Sequence, residues 1–246
     1  MARRRFLVEQ IRDNTAELRG DDARHLARVL RAEPGQQYEI ADGAAAYLAE
    51  IADVHKDRIV FRVLEPLAAA ALAARLTLAA ALIKFDRFEW LVEKATEVGV
   101  ASIIPVASVR SEKGLADAAP KRAERWRRIA HESAQQCRRL APPEIAAPQA
   151  LASVLAADAV LRFLLDEQPG APALLSAIPP PAHRRPTDSI ALLTGPEGGW
   201  AETERNAAIA AGWMPVSLGP LILRAETAAI TAASLLLHSW WMAQLE

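Results

Sequence analysis

Two segments in the C-terminal half of the chain combine residue types that could bind a small ligand. The first, residues 194–200, reads Thr-Gly-Pro-Glu-Gly-Gly-Trp and follows the apolar run 190–194. Glycine lets the main chain approach a ligand closely, and Pro196 stiffens the segment, so such a loop is suited to hold a ligand through main-chain groups. A plain tight turn is the alternative interpretation.

The second segment, residues 216–228, reads Val-Ser-Leu-Gly-Pro-Leu-Ile-Leu-Arg-Ala-Glu-Thr-Ala. Its residues Arg224, Glu226 and Thr227 stand at the entry of a predicted helix, shortly after a predicted strand. In a parallel sheet, such a loop exposes its side chains at the edge where ligands bind. Thr227 as a cap and Glu226 near a helix N-terminus would also be favourable for structural reasons alone. Two such loops at one edge predict a binding pocket.

Strands and helices alternate from about residue 76 onward, which is typical of an α/β domain with a mostly parallel sheet. Short apolar runs predict the strands, and apolar residues spaced three and four apart predict the helices. The predicted strands are 76–82, 102–106, 160–165, 190–194 and 214–218, and the predicted helices are 86–98 with Gly99 as its stop, a long helix with Pro120 in its first turn, 202–211 and 226–242.

The first 66 residues predict a small β-barrel with one helix, because short strand patterns alternate with turn-forming clusters. The predicted strands are 5–10, 36–41, 45–54 and 58–64. The helix is expected to be capped by Asp21, to place Leu26, Val29 and Leu30 inward, and to end at Pro34-Gly35. Pro66 and the alanine tract after it mark the boundary, which gives domains at residues 1–70 and 71–246.

Composition and missing motifs exclude several classes of protein. The 246 residues include one cysteine, Cys137, so neither an internal disulfide nor a multi-thiolate zinc site is expected, and no metal is predicted. No apolar run reaches the roughly 18 residues of a membrane helix, and the N-terminus lacks a signal-peptide core, which favours a cytoplasmic protein. The dinucleotide, NTPase and nucleophile-elbow motifs are absent. A hydrolase triad built from the five histidines has no spacing in its favour.

Positive charge is concentrated in one stretch, although the net charge of the chain is only −1. Residues 110–139 hold nine basic residues against four acidic ones. Together with the cluster Arg3, Arg4 and Arg5, this stretch could form a phosphate-binding face. A solvated helix face is the alternative interpretation.

Short blocks from about residue 3 to residue 240 occur in the same order as in one known family. They are residues 24–31 with 42–43, Lys84 with 93–100, Pro105, 110–111, 125–126, Glu132, Gln136, Arg138, 194–200, and 218–219 with 222–228. On these blocks the chain resembles the bacterial RsmE family, the 16S ribosomal RNA uridine N3-methyltransferases of the SPOUT superfamily. It departs from the pattern at Leu221, where many relatives have arginine, so an RNA contact by that arginine is not carried over.

The resemblance implies an N-terminal PUA-like barrel and a methyltransferase domain whose C-terminal segment forms a deep trefoil knot. It implies S-adenosylmethionine as methyl donor and a homodimer with composite active sites; Trp240 and Trp241 would suit an apolar dimer interface. The donor-binding positions implied by the family pattern are Thr194, Gly195, Glu197, Gly198, Leu218, Gly219, Ile222, Leu223 and Thr227.

Methylation at uridine N3 requires a base, because the neutral nitrogen carries a proton and is a poor nucleophile. A positioned base contributes roughly 10² to 10⁴ in rate, and a cation beside O2 or O4 stabilises the developing anion. Glu226 is the first candidate for the base, Glu197 the second, and Arg224 is the candidate cation. An ion pair between Arg224 and Glu226 that merely orders the loop is the alternative for Arg224.

The implied substrate is a base in 16S ribosomal RNA of the small subunit, with neither DNA nor a membrane as partner. Because N3 lies on the Watson–Crick edge, the target base must be unstacked and unpaired. Phosphate contacts should supply most of the affinity. The predicted RNA-binding residues are Arg3, Arg4, Arg5, Arg24, Arg110, Lys113 and Arg138.

Two rival functions are considered. The first is another SPOUT methyltransferase that acts on transfer RNA or on a ribose hydroxyl; the predicted barrel and the block at residues 223–227 argue against it. The second is a ribosome-assembly factor that binds RNA through the barrel and has lost catalysis.

Overall fold

The computed structural model describes residues 5–68 and 72–245. The chain divides into two compact units. The first contains the chain up to residue 71 together with residues 131–142, and the second contains residues 72–130 and the chain from residue 143 onward. The sequence analysis assigned residues 131–142 to the second domain. No sequence pattern indicated that this segment belongs to the first unit.

The first unit is built on a six-stranded sheet in the order β1-β4-β5-β6-β3-β2. Its neighbours are antiparallel except for the parallel pair β1 and β4. Helix α1, Gly20–Arg28, buries Ala23 and Leu26 in a core that includes Phe6 and Phe61. The strands are β1 Arg5–Leu7, β2 Ile11–Arg12, β3 Thr15–Arg19, β4 Gln37–Ala41, β5 Ala46–Val54 and β6 Arg58–Leu67.

Three local predictions for this unit are wrong. Asp21 lies in the first turn of α1 and does not cap it; the cap position is Arg19. The helix ends at Arg28, so Val29 follows it and is 63% exposed. Strand β6 continues to Leu67, past the predicted end at residue 64, and Pro66 lies within it opposite Tyr47 of β5.

The second unit contains a seven-stranded sheet in the order β10-β8-β7-β12-β11-β13, with β9 beside β8. Every pairing in this sheet is parallel. The predicted α/β class with a mostly parallel sheet is thus confirmed. Its strands are β7 Arg75–Ala81, β8 Ser102–Ala107, β9 Glu144–Ile145, β10 Gln149–Ala150, β11 Leu161–Leu165, β12 Ser189–Thr194 and β13 Met214–Val216.

The helices that follow α1 are α2 Phe85–Val98, α3 Leu115–Ala118, α4 Ala123–Gln136, α5 Leu151–Leu155, α6 Leu174–Ala177, α7 Glu202–Ala210 and α8 Ala225–Met242. Helix α4 belongs to the first unit from residue 131 onward. Helix α8 packs against β7 and β12, and α5 packs against β8 and β10. Helix α2 ends at Gly99 in the left-handed conformation, as predicted. Pro120 lies in a 3₁₀ turn, Ala119–Arg122, that precedes α4 and is not part of its first turn. Helices α2 and α8 pack against each other.

Strand β11 lies between β12 and β13, so three neighbouring strands end at one edge of the sheet. Ligands of open α/β sheets bind at the carboxyl ends of the strands. The two segments singled out from the sequence follow β12 and β13 at this edge. The trefoil knot stays a prediction. Among the described residues, no helix is both long enough and apolar enough to span a bilayer.

The core of the second unit predicts the effect of a cavity in its central strand. Leu192 of β12 is fully buried, so Leu192→Ala should lower the free energy of unfolding by about 2–5 kcal/mol. Leu175 in α6 is half exposed, and Leu175→Ala is the matched control with a much smaller effect. Urea denaturation measures both. Equal losses in the two variants would contradict this description of the core.

Candidate active site

A cleft opens at the carboxyl edge of the parallel sheet of the second unit. Three loops line it: residues 165–168 after β11, residues 194–200 after β12 and residues 216–223 after β13. The cleft contains about 980 Å³ of space, part of it open to solvent. This size matches the pockets that bind small molecules. The two loops predicted from the sequence thus form one pocket.

The conformation of the loop after β12 requires glycine at two positions. Gly199 adopts φ +66°, and its N–H donates a hydrogen bond to the Pro196 carbonyl at 2.9 Å. A Cβ at Gly199 would collide with the Glu167 carboxylate. A Cβ at Gly195 would lie 3.1 Å from Nε1 of Trp200. A larger residue at Gly199 would be strained by the positive φ, and one at Gly195 would press on the Trp200 ring.

The loop after β13 offers main-chain donors. The Ser217 hydroxyl accepts a hydrogen bond from the Gly219 N–H at 3.1 Å, which fixes the start of the loop. Within the described part of the chain, the N–H groups of Leu218, Ile222 and Leu223 have no hydrogen-bond partner. Unpaired main-chain donors in a cleft can bind ligand acceptor atoms.

The loop after β11 supplies a third wall that the sequence analysis missed. Asp166 is buried and accepts hydrogen bonds from the Gln168 N–H at 3.1 Å and from Nε of Arg205 at 2.5 Å. Trp200 donates its indole N–H to the Leu165 carbonyl at 3.1 Å, which joins this loop to the loop after β12. The signal was present: polar residues directly follow the apolar strand 161–165, as they do in the two loops that were recognised.

Seven of the nine predicted donor-binding residues line the cleft. They are Thr194, Gly195, Glu197, Leu218, Gly219, Ile222 and Leu223. Of the other two, Gly198 lies in the same loop, where its carbonyl accepts a hydrogen bond from Nη1 of Arg110 at 2.9 Å. Thr227 is exposed in the first turn of α8. All nine donor contacts stay predictions.

The two candidate bases share one cation. Glu226 is only 8% exposed in the first turn of α8, and its Oε1 lies 3.9 Å from Nε of Arg87. Its other oxygen, Oε2, is buried without a hydrogen-bond partner among the described residues. Glu197 accepts a hydrogen bond from Nη1 of Arg87 at 3.3 Å. The three side chains thus form a cluster, here called the Arg87 cluster.

Arg87 was missed by the sequence analysis, since it lies on α2, far along the chain from both carboxylates. No local spacing could have linked it to them. Arg224, the candidate cation, is exposed at the cap position of α8. In the described structure the alternative ion pair between Arg224 and Glu226 is not formed, and Arg87 is the cation next to Glu226.

The predicted RNA-binding residues of the first unit differ in exposure. Arg3 and Arg4 lie outside the described residues. Arg5 is only 4% exposed and pairs with Glu39 at 3.0 Å. Arg138 reaches the same carboxylate at 3.4 Å but is partly exposed, and Arg24 is exposed beside the Asp21 carboxylate. Arg5 therefore has a structural role here and is left out of the RNA surface proposed below.

In the second unit, Arg110 and Lys113 are both exposed. Part of the positive charge of the neighbouring helix is neutralised locally. Arg125 pairs with Glu89 at 2.6 Å, and Arg122 lies 3.9 Å from the same carboxylate. The described residues hold no cluster of three or more side chains that could bind a metal ion.

Two family models match the chain. A model of the RNA methyltransferase domain matches residues 71–237, and a model of the RNA methyltransferase PUA domain matches residues 18–64. The first match covers more than half of the chain. The second confirms the predicted PUA-like character of the N-terminal sheet.

Similar proteins are found across bacteria. The chain is 34% identical over 229 residues to ribosomal RNA small subunit methyltransferase E of Synechocystis, a match that covers 91% of this chain and 73% of that protein. It is 31% identical to the protein of the same name in Bacillus subtilis, over 89% of this chain and 88% of the relative.

Solved structures agree with these matches. Ribosomal RNA small subunit methyltransferase E from Neisseria gonorrhoeae, bound to S-adenosyl methionine, superposes with a TM-score of 0.85 at 28% identity, covering 97% of this chain and 98% of that chain. A methyltransferase from Legionella pneumophila in complex with the same cofactor gives a TM-score of 0.84 at 30% identity, covering 96% and 97%. The resemblance seen in the sequence is thus confirmed, and the chain belongs to the ribosomal RNA small subunit methyltransferase E family.

Proposed function

We propose that the protein transfers a methyl group from S-adenosylmethionine to N3 of a uridine in 16S ribosomal RNA of the small subunit. Membership of the family supports the reaction class, and the donor is the molecule bound in the Neisseria and Legionella structures. The observation that carries the proposal is the position of Glu226. A buried carboxylate with one unpaired oxygen lies beside the loops that form the cleft.

The cleft suits the donor in size and in the chemistry of its walls. The unpaired N–H groups of Leu218, Ile222 and Leu223 would bind acceptor atoms of a purine ring. Glu167 and Gln168 line the opposite loop and offer polar atoms to hydroxyl or ammonium groups. When bound, the donor supplies a methyl group on a positively charged sulfur, which is the electrophile of the reaction.

Glu226 accepts the N3 proton of uridine in this mechanism. The N3–CH₃ bond forms as the bond from the methyl carbon to sulfur breaks, which leaves S-adenosylhomocysteine and a protonated carboxyl group. Oε2 of Glu226 is suited to this step, because its acceptor capacity is not used by another group in the described structure. Arg224, exposed at the start of the same helix, stabilises negative charge on a uracil oxygen.

The substrate base must be accessible at its Watson–Crick edge, so the enzyme acts on an unpaired, unstacked uridine. Phosphate contacts come from exposed basic residues of each unit: Arg24 and Arg138 in the first, and Arg110 and Lys113 in the second. Arg3 and Arg4 are included in the proposed RNA surface on the basis of the sequence alone. A ribosomal substrate supports a cytoplasmic location.

A homodimer is also part of the proposal, on the basis of the resemblance. Trp240 cannot contribute to its interface as predicted, because the side chain is fully buried and donates its N–H to Asp188 at 2.9 Å. Trp241 is half exposed and remains a candidate. Leu221 and Ile222 beside the cleft are 79% and 90% exposed, and covering them in a dimer would be favourable.

The decisive test identifies the modified nucleoside. The purified protein is incubated with isotopically labelled donor and with small ribosomal subunits or transfer RNA, and the digested RNA is analysed by mass spectrometry. We expect labelled N3-methyluridine from small subunits only. Label in transfer RNA or on a ribose would support another SPOUT activity, and donor binding without transfer would support an assembly factor. Small-subunit RNA from a deletion strain, with and without the gene restored, provides the same test in cells.

Removal of the proposed base should impair the chemical step. Glu226→Gln keeps the size of the side chain but removes its basicity, so kcat should fall by roughly 10²- to 10⁴-fold. Affinity for the donor, measured by calorimetry, should be preserved. Glu202→Gln is the matched control, because Glu202 is exposed in the first turn of α7. Full activity of Glu226→Gln would remove Glu226 from the mechanism.

RNA binding should depend steeply on salt, because it releases counterions from the phosphates. Lys113→Ala should lower the slope of log K against log salt by about one, as expected for one lost phosphate contact. Arg75→Ala is the control: Arg75 is exposed at the amino end of β7, on the edge opposite the cleft. Filter binding over a salt series measures the slopes. An unchanged slope for Lys113→Ala would exclude this residue from the RNA surface.

A further inference from the structure

We propose that Arg87 is a positioning residue of the methyl-transfer reaction, whose guanidinium joins the donor-binding loop after β12 to the proton-accepting carboxylate on α8. This inference rests on the function proposed above. Arg87 makes its two contacts through different nitrogen atoms: Nη1 with Glu197 and Nε with Glu226. One planar group thus holds two carboxylates that belong to different walls of the active site.

The Arg87 cluster joins two helices and one loop. Arg87 is the third residue of α2, and the residue after it, Phe88, is fully buried. Helix α8 is anchored by buried alanines, including Ala229 and Ala232. Glu197 is an exposed residue of the loop 194–200. Arg87 therefore connects the loop after β12 to two helices whose places are set by core packing.

The contact with Glu226 differs in kind from the contact with Glu197. At 3.9 Å, Nε of Arg87 is too far for a hydrogen bond to Glu226 but near enough for strong Coulomb attraction. This attraction, together with the N-terminus of α8, offsets part of the cost of burying the negative charge. Because no hydrogen bond is formed, the oxygens of Glu226 keep their capacity to accept a proton.

The contact with Glu197 is a hydrogen bond at 3.3 Å between side chains that are 32% (Arg87) and 40% (Glu197) exposed. Such a pair contributes little to stability. Its expected effect is on geometry: it limits where the loop 194–200 can place the methyl donor relative to Glu226. A displacement of about 1 Å between reacting groups can cost about 10²-fold in rate. Arg87 should therefore affect turnover much more than stability.

Kinetics of Arg87 variants test this role in the full-length protein with small ribosomal subunits as substrate. We expect Arg87→Ala to lower kcat by about 10²-fold while donor affinity and melting temperature stay close to those of the wild type. Arg87→Lys should recover part of kcat, because it restores the charge but cannot contact both carboxylates with a planar fork. Added guanidinium should also partly restore Arg87→Ala. Arg75→Ala is the control with unchanged activity.

A double-mutant cycle shows whether Arg87 acts through the base. In the Glu226→Gln background, Arg87→Ala should cause little further loss of kcat, because the group that it positions is already gone. Multiplicative losses would contradict the proposal, as would a normal kcat in Arg87→Ala or a parallel loss of donor affinity and kcat. If the wild-type protein transfers no methyl group to small subunits, the proposed function fails and this inference fails with it. Wild-type activity combined with a normal Arg87→Ala overturns the inference alone.

Discussion

The active site depends on one constraint: the strands of a parallel sheet all end at the same edge. Strand β11 lies between β12 and β13, so the loops after these three strands begin within two strand spacings, about 10 Å. Helices cover both faces of such a sheet, and loops that carry unpaired polar groups can lie only at its ends. The cleft with its free main-chain donors follows from this strand order.

Burial of the Glu226 carboxylate carries the largest free-energy cost at this edge of the sheet. Glu226 occupies a position where negative charge would be strongly unfavourable without compensation. The start of α8 and the guanidinium of Arg87 offset part of that cost, yet Oε2 has no partner among the described residues. Unsatisfied buried groups are rare in folded proteins and call for an explanation, which the proposed role of Glu226 as proton acceptor would provide.

The number of basic residues in the sequence differs from the number whose charge is free to bind RNA, because some of them already pair with carboxylates. Several arginines in the stretch 110–139 have carboxylate partners, such as Arg125 with Glu89 and Arg127 with Glu124. An exposed pair such as Arg127 with Glu124 is worth about 0–1 kcal/mol, so a phosphate can replace that carboxylate at little cost. The pair of Arg5 and Glu39 is different, because both side chains are largely buried and a phosphate that replaced the carboxylate would itself have to lose its water.

The sequence by itself determined the elements whose signals are local. Apolar periodicity predicted β7, β12, α2 and α8 to within a residue or two, and glycine chemistry marked two of the three loops. Only the tertiary structure decided which distant side chains meet: Arg87 lies beside Glu226, and Trp240 turns inward to Asp188. The physical reason is that periodicity and turn preference act over a few neighbouring residues. Contacts across the sheet depend instead on the order of its strands and on the packing of α2 against α8, which no short stretch of sequence encodes.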